Sequence, residues 1–252
     1  LRDLAAIRDV VQIAQPQVVF HLAGLNAAQP PREVAETIVR GFEHLCRALR
    51  EGRRAGAQVS MLVIGSAAEL GPLGAQTLPV DERARCAPKT VYGHAKWEVT
   101  RRVLAAAGRG DGLEIRVARP FNLVGPGLDG TLALGHFADQ LTAICRGECD
   151  LLRCGNLDCT RDYLDVRDAV DAYVRLIELG RPGEVYHVCR GESHSLETLL
   201  RALIRAAGTS PRVLVDPQLR RAGDIRHLVG SHDKLTRATG WVPQISLEQS
   251  LA

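Results

Sequence analysis

The sequence predicts an α/β protein built on a doubly wound parallel sheet, followed by a smaller α/β lobe. Three short runs rich in Val and Ile, at residues 17–24, 59–66 and 113–119, have the length and composition of strands. Between them, residues 33–50 and 90–107 carry apolar side chains at helical spacing. Apolar strands that alternate with amphipathic helices are typical of a parallel sheet covered by helices on both faces.

After Gly130 the alternation is less regular, which predicts a main domain over residues 1–130 and a second lobe over residues 131–252. We expect some segments of this lobe to return to the main sheet. Gly/Pro-rich turns at residues 125–127 and 180–183 separate its elements. The lobe is predicted to contain helices at residues 134–144, 166–179 and 195–207, and strands at 185–188 and 213–215.

The overall composition excludes several classes of protein. The 252 residues include 32 Lys and Arg against 29 Asp and Glu, and the net charge of +3 is too small for an electrostatic nucleic-acid binder. No apolar run approaches the ~18–20 residues of a membrane span, and the first residues lack a signal-peptide pattern. We therefore expect a cytoplasmic protein that binds neither nucleic acid nor membrane.

Seven cysteines are an odd number spread over the chain, and four of them crowd between residues 145 and 159. Zinc sites usually contain close Cys pairs separated by a longer spacer, whereas this segment predicts a short strand followed by a turn. The sequence therefore favours reduced thiols in a cytosolic protein over a metal site.

In a parallel sheet of this kind, ligands bind outside the carboxyl ends of the strands. The residues that follow the three predicted strands are therefore the first candidates for a binding site. They are residues 23–26, 65–68 and 120–122.

The strongest local signal for chemistry is the segment Tyr92-Gly93-His94-Ala95-Lys96. On a helix, residues i and i+4 share one face, so the phenol of Tyr92 and the amine of Lys96 are neighbours. A nearby ammonium is expected to lower the phenol pKa from about 10, which lets the tyrosine exchange a proton with a carbinol oxygen. A Tyr and a Lys at this spacing are also common by chance on surface helices.

Two neighbouring strand ends add to this signal. Ser66 ends the second predicted strand, where its hydroxyl is able to bond the same substrate carbonyl; capping of a turn is the alternative role. Residues 118–126, which include Arg119, Pro120, Phe121 and Asn122, end the third strand and enter a tight turn. Their alternative role is simple punctuation between a strand and a loop.

Taken in order, these motifs resemble the extended short-chain dehydrogenase/reductase superfamily, which includes nucleotide-sugar epimerases, dehydratases and reductases. The resemblance covers essentially the whole chain, and it implies a Rossmann-like cofactor-binding domain followed by a substrate-binding lobe. The matching segments are His21-Leu22-Ala23-Gly24, Ser66-x4-Gly71, Tyr92-x3-Lys96, Arg119-Pro120-Phe121-Asn122, Gly155-Asn156-Leu157-Asp158, residues 161–168, residues 183–188 and Gly240-Trp241-Val242-Pro243.

Within this superfamily, residues 155–158 and 161–168 are similar to the corresponding segments of GDP-4-keto-6-deoxymannose reductases. Dehydratases carry an acid two residues after the catalytic Ser or Thr, to help expel the 6-hydroxyl, and here that position is Ala68. Glu69 is adjacent, but a shift of one residue points a side chain elsewhere. The resemblance favours NAD(P)H-dependent reduction of a nucleotide-linked 4-keto-6-deoxyhexose, with a 4,6-dehydratase or a 4-epimerase as alternatives.

The resemblance also implies roles for individual residues, with NADP or NAD as cofactor, a GDP-sugar as substrate and no metal. The implied catalytic residues are Ser66, Tyr92 and Lys96, with Tyr92 as proton donor. The implied cofactor contacts are Leu22, Ala23, Gly24, Tyr92, Lys96, Pro120 and Phe121. The implied substrate contacts are Ser66, Asn122, Gly155, Asn156, Arg161 and Arg221, of which the two arginines would clamp the diphosphate. Relatives of this kind commonly dimerise through the helix that bears Tyr92, so a homodimer is expected.

One motif of the superfamily is not found in the sequence. Its members open with a strand and a G-x-x-G-x-x-G turn, which lets a helix N-terminus approach the cofactor pyrophosphate. Here the first predicted strand is followed by Leu25-Asn26-Ala27, and residues 1–13 are typical of a helix that precedes a later strand. We therefore expect the sheet to lack its first βαβ unit. A catalytically silent relative, which binds a nucleotide sugar or serves as a structural partner, is a further alternative.

Overall fold

The computed structural model describes residues 1–25, 29–72, 78–219 and 227–251. The strands described are β1 (Val18–His21), β2 (Val59–Ile64), β3 (Leu113–Pro120), β4 (Asn122–Val124), β5 (Leu151–Cys154), β6 (Thr160–Arg161), β7 (Tyr163–Asp165), β8 (Val185–Val188), β9 (His194–Ser195), β10 (Arg212–Val215) and β11 (His227–Leu228). The α-helices described are α1 (Leu4–Ala14), α2 (Pro31–Ala35), α3 (Gly41–Gly52), α4 (Val91–Ala106), α5 (Ala133–Cys145), α6 (Val166–Leu179), α7 (Leu196–Ala206), α8 (Asp233–Thr239) and α9 (Leu247–Leu251).

The main sheet consists of four parallel strands in the order β1-β2-β3-β8. The register of its central pair runs from Val59 opposite Leu113 to Ile64 opposite Ala118. The three strands predicted in the first half of the sequence are confirmed, and so is the strand predicted at residues 185–188. Because the strands run in one direction, their carboxyl ends meet at one edge of the sheet.

Helices cover both faces of the main sheet, which confirms the doubly wound arrangement. Successive residues of a strand point to opposite faces. In β2, Met61 packs with Phe42 in one apolar cluster, whereas Leu62 packs with Leu176 and Trp241 in another. A strand buried on both faces needs an apolar residue at nearly every position, which is why the sequence shows continuous Val/Ile runs.

The helix over residues 31–52 is continuous but not regular. A π-helical turn at Glu36–Arg40 joins α2 to α3. Buried residues lie on both sides of this turn, Val34 before it and Phe42 after it, and Ile38 is buried within it. The whole helix therefore presents one apolar face to the main sheet.

A separate apolar core lies in the second lobe, where α5, α7 and α9 pack around the two-stranded parallel sheet β5-β10. Two further small sheets have the strand orders β4-β7 and β11-β6-β9. The buried carboxylate of Asp162 connects their ends. It accepts hydrogen bonds from the backbone N–H groups of Arg190 (2.8 Å), Gly191 (3.0 Å) and Gly230 (3.2 Å), and burial raises its pKa to about 6.

After the second lobe begins, α6 and β8 return to the main sheet, where α6 covers one face and β8 pairs with β3. The chain thus passes from the main sheet into the second lobe and back again. The boundary at residue 130 stays a prediction.

None of the seven cysteines, which all fall in the described ranges, forms a disulfide. In those ranges no group of three or more His, Cys, Asp and Glu side chains is arranged to hold a metal ion. The helices described there include none that is both long and apolar enough to cross a membrane.

Two histidines are buried in the main sheet, and both are held neutral. Burial lowers the pKa of His21 to about 4, with a smaller contribution from the charge of Lys96, and it lowers the pKa of His187 to about 3. In an unfolded chain both would titrate near pH 6.5. Between about pH 6.5 and 4 the unfolded state therefore binds protons that the folded state does not, and the free energy of unfolding falls as the pH falls.

We expect the variant His21→Leu to have a weaker pH dependence of stability, because one histidine that gains its proton on unfolding is gone. Denaturant unfolding at a series of pH values from about 7 to 4 measures this. The control is Phe42→Leu, since the ring of Phe42 lies 6.1 Å from that of His21 and does not titrate. The control should be less stable at every pH with the wild-type slope; an unchanged slope in His21→Leu would contradict the assignment.

Candidate active site

A cleft of about 680 Å3 opens at the carboxyl ends of the main sheet. The ends of β1, β2 and β3 form one side of it, and residues of α4 and α6 form the other. The described residues that line it are Phe20, Leu22, Gly24, Leu25, Ile64, Gly65, Ser66, Tyr92, Lys96, Pro120, Phe121, Leu123, Val166, Val170, Tyr173 and Val174. The place is the one at which a parallel sheet is expected to bind ligands.

Ser66 has both of the roles weighed from the sequence. It lines the cleft, and it is also the N-cap of a 3-10 turn at Ala67–Glu69, where its Oγ accepts a hydrogen bond from the N–H of Ala68 (3.2 Å). Glu69 completes a capping box, because its Oε1 accepts from the N–H of Ser66 (2.8 Å). The side chain of Glu69 is fully buried and does not line the cleft, as expected for an acid displaced by one residue.

α4 carries Tyr92 and Lys96 into the cleft, and a glycine lets its first turn come close to the Ser66 turn. The hydroxyl of Thr90 caps the helix by accepting from the N–H of Gly93 (3.0 Å). A Cβ atom at Gly93 would lie 2.5 Å from the carbonyl oxygen of Ala68, a distance that no side chain tolerates. The absence of a side chain at Gly93 therefore allows the hydroxyl of Tyr92 to reach a hydrogen bond with Ser66.

The expectation that Lys96 lowers the pKa of Tyr92 is wrong for this structure. Burial raises the pKa of Tyr92; the hydrogen bond with Ser66 acts in the opposite direction, and the negative charge of Glu69 adds to the rise. The Lys96 Nζ lies 5.8 Å from the centre of the Tyr92 ring. At this position the loss of water around the phenol sets the direction of the shift, and the charge of Lys96 is not among its causes. A raised pKa keeps the phenol protonated at neutral pH, which suits a proton donor.

Lys96 is itself almost completely buried. Its Nζ donates a hydrogen bond to the carbonyl oxygen of Ile64 (2.7 Å), the last residue of β2. Burial lowers the pKa of Lys96 to about 8, and the charge of Glu69 opposes this shift. Gly24 lies beside the amine, since a Cβ atom there would be 3.6 Å from Nζ. The amine of Lys96 therefore lies between the end of β2 and the segment that follows β1.

Most of the residues assigned to cofactor contact lie together in the structure. Leu22, Gly24, Pro120 and Phe121 line the cleft, while Ala23 is exposed between Leu22 and Gly24 and is not part of the lining. The apolar walls and the glycine fit a flat heterocycle, and the single amine fits a hydroxyl of the sugar attached to that heterocycle. These described residues therefore fit the nicotinamide end of the cofactor that the resemblance implies.

The residues assigned to substrate contact are more dispersed. The amide of Asn122, next to the cleft, donates to the carbonyl oxygen of Asp162 (3.0 Å), so the end of β3 is tied to the segment that begins with Arg161. Arg161 lies in β6, and its guanidinium donates to the carbonyl oxygen of Thr160 (2.9 Å). Neither Asn122 nor Arg161 is among the residues that line the cleft.

The proposed nucleoside end is held by its own local bonds. Asn156 donates to the sulfur of Cys159 (3.3 Å) and accepts from the N–H of Asp158 (3.1 Å). At Gly155 a Cβ atom would lie 2.6 Å from the carbonyl oxygen of Leu219, so glycine permits a close approach of two segments. Arg221 lies outside the described residues.

Sequence reasoning missed one wall of the cleft. Val166, Val170 and Val174 of α6 line it together with Tyr173. The three valines follow one another at four-residue spacing and so share one helix face. That spacing is visible in the sequence. However, the valines lie far along the chain from Ser66 and Tyr92, and the spacing alone does not indicate which cavity this helix face lines.

The comparisons with known proteins agree with this geometry. A sequence model of the GDP-mannose 4,6-dehydratase family matches residues 1–252. The chain is 32% identical over 241 residues to the GDP-6-deoxy-D-mannose reductase of Pseudomonas aeruginosa, a match that covers 94% of this chain and 78% of that protein. It is 27% identical over 268 residues to a UDP-glucose 4-epimerase of Rhizobium leguminosarum, which covers 99% of this chain and 79% of that protein.

Solved structures resemble the chain over nearly its whole length. The structure of RMD from Pseudomonas aeruginosa complexed with NADPH matches with a TM-score of 0.91 and 31% identity, and covers 99% of this chain and 83% of that one. The UDP-glucose 4-epimerase of Thermotoga maritima with UDP-glucose matches with a TM-score of 0.85 and 25% identity, and covers 99% of this chain and 79% of that one.

The resemblance inferred from the motifs is therefore confirmed, and so is the Rossmann-like α/β fold. The chain belongs to the GDP-mannose 4,6-dehydratase family of enzymes, within the NAD-dependent epimerase/dehydratase branch of the extended short-chain dehydrogenase/reductase superfamily.

Proposed function

We propose that the protein reduces a nucleotide-linked 4-keto-6-deoxyhexose to the alcohol, with NADPH or NADH as the reductant. One observation carries the proposal: Ser66, Tyr92 and Lys96 converge on a cleft whose described lining contains no carboxylate. Hydroxyl donors beside a buried amine suit the reduction of a ketone, which needs a proton at oxygen and no acid at a leaving group. The NADPH complex of the P. aeruginosa relative supports the choice of reductant.

In this mechanism Tyr92 gives its phenolic proton to the C4 oxygen of the sugar as the carbonyl becomes an alcohol. Ser66, already hydrogen-bonded to Tyr92, orients the same oxygen. Lys96 would hold a sugar hydroxyl of the cofactor. The hydrogen bond with Ser66 favours the phenolate left behind on Tyr92. When bound, a reduced nicotinamide supplies the hydride.

Dehydration is disfavoured by the position of the nearest acid. Expelling a 6-hydroxyl requires a proton donor at the leaving oxygen. Ala68 has no such group, and the carboxylate of Glu69 is buried and bonded to Ser66 and Arg119. The epimerase relatives are named for UDP-sugars. 4-Epimerisation is therefore the alternative reaction to be tested against reduction.

The finer assignments belong to the same proposal. A GDP-sugar is the proposed substrate because the P. aeruginosa relative is named for one. Asn122, Arg161 and Arg221 are the proposed contacts to its sugar and diphosphate, with Gly155 and Asn156 at the nucleoside.

A homodimer through α4 and its neighbouring helix is also proposed, since Val91 and Leu104 of α4 are exposed. Sedimentation of the purified protein gives the mass of the assembly directly.

We expect purified protein to oxidise NADPH or NADH when GDP-4-keto-6-deoxymannose is added, with one alcohol formed per reduced cofactor consumed. The fall in absorbance of the reduced cofactor and chromatography of the sugar measure the two sides of the reaction. GDP-mannose and UDP-glucose are the control substrates. A 4-keto product from GDP-mannose would indicate a dehydratase, and UDP-galactose from UDP-glucose an epimerase. Failure to bind either cofactor even at high concentration would indicate the silent relative.

We expect Tyr92→Phe to lower kcat by a factor on the order of 10²–10⁴, because it removes the proton donor while keeping the ring. Affinity for the reduced cofactor should change little. Measuring kcat by turnover and cofactor affinity by fluorescence separates the two effects. Tyr173→Phe is the matched control, since Tyr173 also lines the cleft but is not bonded to Ser66 in the structure. An equal loss in both variants would contradict the assignment of Tyr92.

We expect Gly93→Ala to lower kcat by a factor of about 10², because the added methyl meets the carbonyl oxygen of Ala68 and pushes Tyr92 away from Ser66. Turnover at saturating substrate checks this, with a thermal melt to show that the variant is folded. The control is Ala95→Gly, which lies in the same helix and removes a methyl group instead. A folded Gly93→Ala variant with wild-type kcat would show that the close approach is unnecessary.

A further inference from the structure

A buried ion pair lies directly behind the Ser66 turn and outside the cleft. The side chains of Glu69 and Arg119 are 0% and 2% exposed. Arg119 donates from Nε (3.1 Å) and from Nη2 (2.7 Å) to the same carboxylate oxygen, Oε2 of Glu69. Neither residue is among those that line the cleft, so neither is placed to touch substrate.

The other oxygen of the carboxylate faces the catalytic serine. Oε1 of Glu69 accepts the N–H of Ser66 at 2.8 Å. Glycine at position 65 allows this, because a Cβ atom there would lie 2.4 Å from Oε1. One carboxylate therefore joins the backbone of Ser66, at the end of β2, to the guanidinium of Arg119, near the end of β3.

The guanidinium is in turn fixed to the next strand. Arg119 and His187 are register partners in β3 and β8, and Nη1 of Arg119 lies 3.3 Å from Nε2 of His187. Arginine only donates, so Nε2 accepts and the histidine proton is on Nδ1, which donates to the carbonyl oxygen of Val80 (3.2 Å). The neutral form required by this arrangement agrees with the low pKa of His187.

A buried ion pair is poor evidence of stabilisation, because the desolvation of both charges offsets their attraction. The geometry of the pair is nevertheless specific. Both carboxylate oxygens of Glu69 and all three guanidinium nitrogens of Arg119 have defined hydrogen-bond partners. We propose that Glu69 and Arg119 are positioning residues, which hold Ser66 so that its hydroxyl meets the phenol of Tyr92. The proposal goes beyond the proposed function but rests on it for its kinetic consequence.

The variant Glu69→Gln tests the proposal with almost no change in shape. An amide has one acceptor and one donor group, so either the Ser66 N–H or Arg119 meets another N–H. If Glu69 acts through Ser66, the substitution should lower kcat about tenfold to 10²-fold with Ser66 present, and have little further effect in a Ser66→Ala background. KM for the reduced cofactor should stay near that of the wild type. Equal losses of kcat in both backgrounds would overturn the proposal.

A second measurement does not depend on turnover. Among the residues that the structure describes, the charged and titratable groups near the Tyr92 phenol are Glu69, Lys96 and Tyr173. Substituting Glu69 removes a negative charge, which lowers the pKa of Tyr92. If Ser66 is also released, the loss of its hydrogen bond raises that pKa. In the Ser66→Ala background only the charge effect remains.

The shift in the Tyr92 pKa caused by Glu69→Gln should therefore be less negative with Ser66 present than with Ser66→Ala. Absorbance titration of protein containing difluorotyrosine, with Tyr92→Phe as the blank, brings this phenol into an accessible pH range. Glu98→Gln is the control, because Glu98 is a carboxylate of α4 bonded to Arg101 and Arg102 instead of the Ser66 turn. It should shift the pKa equally in both backgrounds.

Equal shifts for Glu69→Gln in both backgrounds would overturn the proposal, whether or not the wild type reduces a keto sugar. Inactivity of the wild type with every keto sugar would instead contradict the proposed function alone. If an unpaired Arg119 prevents folding, the paired variant Glu69→Met with Arg119→Met removes both charges and keeps the volume. In it the same comparison with and without Ser66 decides the question: a Ser66-dependent shift supports the proposal, and equal shifts overturn it.

Discussion

The close approach of α4 to the turn after β2 is the constraint on which the rest of the site depends. Gly93 leaves just enough room for the carbonyl of Ala68, and this places the phenol of Tyr92 against Ser66. Lys96, one turn further along the helix, then reaches the end of β2. Side chains from two parts of the chain, Ser66 in one and Tyr92 with Lys96 in the other, thus share one cleft because one position lacks a side chain.

Much of the fold could be predicted from local patterns. The apolar runs that became β2 and β3 are continuous because both faces of an internal parallel strand are buried, and α6 was predicted with the bounds that the structure has. Strand order and helical spacing also predicted Ser66 at a strand end and Tyr92 beside Lys96, whereas their joint role in one site was implied by the resemblance. The bounds of strands and helices depend on neighbouring residues along the chain, and the placement of side chains at strand ends depends on the direction of parallel strands. Both can therefore be predicted from sequence patterns.

Other features depend on partners that no local pattern identifies. The direction of the Tyr92 pKa shift was predicted wrongly, since it is set by burial of the phenol, which depends on the packed cleft. The pairing of Glu69 with Arg119 joins residues fifty positions apart, and the valines of α6 reach the cleft only after the chain has passed through the second lobe. Each of these contacts is set by tertiary packing. Packing also determines how much burial and nearby charges shift the pKa of a group.

The π-helical turn at Glu36–Arg40 has a consequence for the way this helix tolerates change. In a regular α-helix each step of four residues rotates a side chain by about 40°, so Val34, Ile38 and Phe42 would drift off one face. The wider turn takes up that drift and keeps all three buried. Deletion of one residue within it would restore the regular ladder of hydrogen bonds and leave Val34 seven residues before Phe42, only about 20° from the same face. Length variation among relatives is therefore able to occur inside this helix, and an alignment that confines gaps to loops would misplace every residue before it.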